Sequence, residues 1–93
     1  MMWTVLWNRT QLSEFTATYD ELRHRDPVAA DRLARSVTKI DRLFEHSPDK
    51  AGESRGAFER MVIVPPLAVT FEVHTEEQVV YVMRFHYSRD ECG

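Results

Sequence analysis

Cysteine, glycine and long apolar runs are all scarce in this chain, and each scarcity removes a class of protein. The single cysteine, Cys92, excludes an internal disulfide framework. No stretch approaches the roughly 18 consecutive apolar residues that a membrane-spanning helix needs, and Met1–Trp7 is too short for a signal peptide. Gly52, Gly56 and Gly93 form no phosphate-cradling fingerprint. His24, His46 and His74 lack the spacing of metal ligands. An excess of positive charge is missing too: the formal net charge is −3, which argues against indiscriminate nucleic-acid binding without excluding a local basic patch. These absences point to one cytoplasmic domain over residues 1–93, with no membrane association, metal or cofactor.

What remains is an ordinary globular composition, 43% apolar and 29% charged, arranged in clear periodicities. Trp3–Trp7 alternates as a short strand. Thr10 is a suitable cap for a helix whose apolar face is Leu12, Phe15, Tyr19 and Leu22. Asp26-Pro27 restarts helical structure, with Asp as cap and Pro at the first helical position. The second stripe is Ala30, Leu33, Val37, Ile40 and Phe44, and Ser47-Pro48 ends it. After a loop over 48–57, strands are expected at Phe58–Val64, Leu67–Val73 and Val79–Phe85, separated by hairpin-length turns. The expected fold is α+β in the order β-α-α-β-β-β, an antiparallel sheet with a helical hairpin on one face.

Strand phase sorts the residues further. Leu67, Val69, Phe71 and Val73 should lie under the helices, leaving Ala68, Thr70 and Glu72 on the other face. In the last strand, Val79, Tyr81, Met83 and Phe85 form the more apolar set. Val80, Val82, Arg84 and His86 are then expected on the open face, with Glu72 nearby as an ion-pair partner for Arg84. A guanidinium can neutralise phosphate charge, and an imidazole can move a proton near neutral pH, so this strand end suits phosphate chemistry. Arg32, Arg35, Lys39 and Arg42 make a basic stripe on the second helix, best read as a solvated face.

Several segments, in this order, resemble the RelE/ParE superfamily of toxins. They are Ile40-Asp41-Arg42-Leu43 with Ser47-Pro48, then Gly52-Glu53-Ser54-Arg55, then Pro66-Leu67-Ala68-Val69-Thr70-Phe71-Glu72-Val73. The ending Arg84-Phe85-His86-Tyr87 is similar to the Arg-Tyr-His-Tyr of the YoeB branch. The family arginine that opens the central strand falls at Ala68, and its other basic positions fall near Glu59 and Met61.

The resemblance implies the toxin of a type II toxin–antitoxin pair that cuts messenger RNA on the ribosome, the ribose 2′-hydroxyl attacking the adjacent phosphate. Carried onto this chain, it makes His86, Arg84, Tyr87 and Glu53 the catalytic candidates and Arg89, Arg60 and Arg55 the RNA-binding ones. The implied partners are a cognate antitoxin, the ribosome and messenger RNA. The lost basic positions keep a second reading open, a non-catalytic binding protein of the same fold that inhibits DNA gyrase or only engages an antitoxin.

Overall fold

The computed structural model describes residues 2–88. It consists of strand β1 (Thr4–Trp7), helices α1 (Arg9–Arg25) and α2 (Pro27–His46), a 3₁₀ turn at Pro48–Lys50, and strands β2 (Glu53–Ser54), β3 (Glu59–Val64), β4 (Leu67–His74) and β5 (Val79–Tyr87). The α+β order anticipated from the sequence is present, with the two-residue β2 added. The strands lie in the order β1-β5-β4-β3-β2. Three pairings are antiparallel, but β1 runs parallel to β5, which makes the sheet mixed. The helical hairpin and three further strands separate β1 from β5 in the chain, so no tight turn dictates their relative direction.

Local chemistry accounts for the helix ends. Asn8, rather than Thr10, caps α1: its Oδ1 accepts from the Thr10 and Gln11 amides at 3.0 and 3.3 Å. Asp26 caps α2 by accepting from the Ala29 amide at 3.1 Å, with Pro27 at the first helical position. Phe15, Tyr19 and Leu22 of α1 face the core, whereas Leu12 stays 47% exposed.

The core lies between α2 and the inner face of the sheet. Leu33, Ile40 and Phe44 of α2 meet Leu67, Val69 and Phe71 of β4 and Val80 and Val82 of β5, all essentially inaccessible to solvent. Complete burial of such side chains contributes about 1.5–3 kcal/mol each before entropy is counted. Phe44 and Phe71 are 4.4 Å apart between ring centroids. The buried Ser36 donates to the Pro65 carbonyl at 2.7 Å, tying α2 to the β3–β4 turn. At the β1 end, Trp7 meets Phe15, which packs edge-on against Phe85 of β5 at 5.6 Å.

Two positions carry testable stress. Gly52 has φ +64°, and a Cβ there would collide with the Met61 carbonyl across the β2–β3 pairing. Gly52→Ala is therefore expected to cost more than the roughly 1–2 kcal/mol of a left-handed alanine, measurable by urea denaturation. Asp41 is pushed above the ordinary carboxylate range, first by burial and then by the Glu45 carboxylate one turn on. A raised acid pKa means that the folded state holds the proton more tightly, so stability is lost as pH rises through the raised value. Asp41→Asn should raise Tm at pH 7, with the gain shrinking towards about pH 3, where Asp41 is protonated folded or unfolded.

Candidate functional site

The candidate site is made by an irregularity in β5. Its register against β4 runs Val73↔Val80, Glu72↔Tyr81 and Phe71↔Val82, then jumps to Thr70↔Arg84, Val69↔Phe85, Ala68↔His86 and Leu67↔Tyr87. Met83 is the extra residue, a β-bulge that shifts the side-chain alternation by one. This corrects the single phase expected for the strand. Val80 and Val82 point into the core, as their complete burial shows, and Val79 and Tyr81 occupy the open face. The expected outward position of Arg84 and His86 is observed, but only because the bulge intervenes. Phe85 and Tyr87 then return to the core side.

The physical reason is visible in the spacing of the apolar residues. Val80 and Val82 are one apolar pair, Phe85 and Tyr87 another, and Phe85 follows Val82 at a spacing of three, with two residues between them. A strict two-residue alternation cannot bury both pairs on one face, whereas one extra residue between them can.

Registers place every open-face residue. Arg84 shares a row with Thr70, Met61 and Glu53 across β5, β4, β3 and β2. His86 shares the next row with Ala68 and Ile63, and Tyr81 lies in a row with Glu72 and Glu59. Arg84 and His86 are both exposed, and their Cα atoms are roughly 7 Å apart along the strand. Neither takes part in an ion pair among the described residues. The anticipated Arg84–Glu72 pair does not form. Arg84 stands opposite Thr70, and Glu72 instead receives His74 Nε2 at 3.0 Å.

The other sequence candidates are dispersed. Tyr87 follows His86 directly, yet its side chain packs against the core on the opposite face. Glu53 lies on the far edge strand, three strand spacings or about 14 Å from β5, beside Arg55 at 3.8 Å. Arg60 alternates to the inner side, and its guanidinium donates to the Ala51 and Gly52 carbonyls at 2.8 and 3.1 Å. Arg60 thus holds the β2 loop in place. Arg89 lies outside the described residues.

Sequence reasoning passed over one constellation. His74 stacks on Phe58 with an interplanar angle of 10°, meets Tyr81 edge-on and is held by Glu72. Its signal was the two-residue spacing of Glu72 and His74, which places both on one face; the aromatic partners come from β5 (Tyr81) and from the bend just before β3 (Phe58). Among the described residues, no group of acidic, histidine or cysteine side chains is arranged to hold a metal ion. No described helix is long and apolar enough to cross a membrane.

No protein-family model matches the chain. It is 28% identical over 85 residues to Toxin RelE2 of Caulobacter vibrioides, covering 90% of this chain and 93% of that protein. Its fold is similar to a chromosomal ParDE toxin–antitoxin system from P. aeruginosa (TM-score 0.70, 17% identity, 95% and 98% of the two chains covered). The RelBE2 toxin–antitoxin complex from Mycobacterium tuberculosis gives the same TM-score, 0.70, at 16% identity, covering 97% and 95%. For the isolated E. coli RelE toxin the TM-score is 0.60 at 17% identity, covering 97% and 89%.

The opposed faces of the consecutive residues give a stability signature. Arg84→Ala and His86→Ala are expected to change the unfolding free energy by no more than about 0.5 kcal/mol. Tyr87→Ala should cost about 1–2 kcal/mol, as expected for a partly buried aromatic. Chemical denaturation of the three variants checks the assignment of faces.

Proposed function

We propose that the chain is a member of the RelE/ParE superfamily, a reading supported by its 28% identity to Toxin RelE2 and by its fold, that it is the toxin of a toxin–antitoxin pair, and that it cleaves messenger RNA on the ribosome. One observation carries the reading: the bulge at Met83 sets Arg84 and His86 side by side on the open face, free of ion-pair partners among the described residues. The nucleophile, a ribose 2′-hydroxyl, belongs to the substrate, so the protein has only to orient the phosphate, offset its charge and move protons. Arg84 binds the phosphate as negative charge builds on its oxygens. His86, in the next row, exchanges a proton with the attacking or leaving oxygen. Tyr87 serves from below, its packing fixing the end of β5. Glu53 is too distant to share one phosphate with His86.

The antitoxin has a suitable docking place outside this face. Leu43, His46, Ser47 and Val64 line a mostly apolar groove of about 420 Å³, edged by Lys39 and Arg42. An acidic amphipathic segment would match its apolar floor and basic rim.

A second reading, a non-catalytic binder acting on gyrase or on an antitoxin alone, draws on two observations. Tyr87 is turned away from the open face, and Glu59 and Glu72 on that face oppose an RNA backbone. The expected outcome for the enzyme is cleavage of ribosome-bound messenger RNA in a purified translation system, lost in His86→Ala. Intact messenger RNA with the wild-type protein, together with inhibited supercoiling by gyrase, would transfer the conclusion to the binder.

A further inference from the structure

The two candidate catalytic side chains flank Phe85, and the backbone of Phe85 is held in an unusual way. β1 pairs with β5 only as far as Trp7↔Val82, and the Asn8 amide adds one last bond to the Val82 carbonyl at 3.0 Å. Beyond that point β5 has no neighbouring strand on this side among the described residues. On this free edge the Phe85 amide gives its proton to Gln11 Oε1 of α1 at 3.1 Å. Gln11 Nε2 donates to Glu14 Oε2 at 3.3 Å. These two bonds fix the orientation of the carboxamide, because the flipped group would set a donor against the Phe85 N–H and an acceptor against the Glu14 carboxylate.

We propose that Gln11 is a positioning residue for the site: a helix side chain that takes the place of the missing strand and sets where Arg84 and His86 point. The bond is placed for this role. It falls on the residue between the two, just after the bulge, where ladder pairing is locally disrupted. Three further contacts complete the frame. Phe15 of α1 packs against the Phe85 ring, β4 pairs along the other edge, and the Ser88 amide bonds to the Pro66 carbonyl at 2.9 Å. Gln11 is the polar member of this frame on the open edge, so its loss frees the strand tip without opening the core.

This inference rests on the RNA-cleavage reading, and its test separates the two. Gln11→Leu keeps the bulk and removes the acceptor. The paired exchange Gln11→Glu with Glu14→Gln keeps an acceptor facing Phe85 and a donor–acceptor pair on the helix. Amide hydrogen exchange at Phe85 should speed up in Gln11→Leu and return towards wild type in the paired exchange. In the translation assay, kcat should fall roughly ten- to hundredfold in Gln11→Leu, the scale of a small misplacement of catalytic groups, with KM within about twofold, and recover in the paired exchange. Unchanged protection of Phe85 in Gln11→Leu would overturn the clip. Lost protection with unchanged kcat, or a kcat loss that the paired exchange does not recover, would overturn its positioning role. A wild-type protein that cleaves nothing would overturn the RNA-cleavage reading and with it the positioning of catalysis, while the exchange measurement would still decide whether the clip exists.

Discussion

The inner face of β4 constrains everything around it. Leu67, Val69, Phe71 and Val73 form an unbroken buried row, and each neighbouring element has to supply apolar partners at the same spacing. Helix α2 does so from above with Leu33, Ile40 and Phe44, β3 with Val62, and β5 with two separate pairs. Because those pairs are out of step with each other, β5 satisfies the row only by accommodating Met83 as an extra residue. The bulge is thus a consequence of core packing. Bulges add local twist and redirect side chains, and here the redirected ones are a guanidinium and an imidazole.

The same demand explains what the site lacks. Tyr87 cannot join His86 on the open face while it completes the inner row opposite Leu67. Arg60 cannot reach that face either, because its alternation turns it inward to the carbonyls of the β2 loop. The open face therefore carries a compact Arg84–His86 pair at one end, with Glu53, Glu59 and Glu72 distributed across the other strands. Attraction for a phosphate is therefore concentrated at the β5 tip, where Arg84 has no ion-pair partner among the described residues. The His74 cluster reinforces the division, since Glu72 is already engaged by the imidazole and does not neutralise Arg84.

Much of this was legible in the chain. Both helical stripes, the Asp26-Pro27 restart, the stop at Ser47-Pro48 and the alternation of β4 follow from local rules of spacing and capping, and the structure contains them. The errors share a cause. Spacing places Leu12 on the apolar stripe of α1, yet it stays exposed. Residue type alone would pair Arg84 with Glu72, but pairing depends on register, which sets Arg84 opposite Thr70. In β5 a single alternation cannot serve the whole strand, because Val80, Val82, Phe85 and Tyr87 require two.

The sequence by itself determined the two helices, four of the five strands and their order, and the presence of Arg84 and His86 near the end of the last strand. Those properties reside in periodicity and in turn and cap chemistry, which act over a few residues. Only the tertiary structure decided that β1 joins β5 in parallel, that Met83 bulges, and that His86 and Tyr87 face opposite ways. It also decided that a glutamine from α1 secures the free edge of β5 between the two candidate groups. Each of these depends on contacts between residues distant in the chain, where burial of the β4 row and satisfaction of every edge donor must be met together.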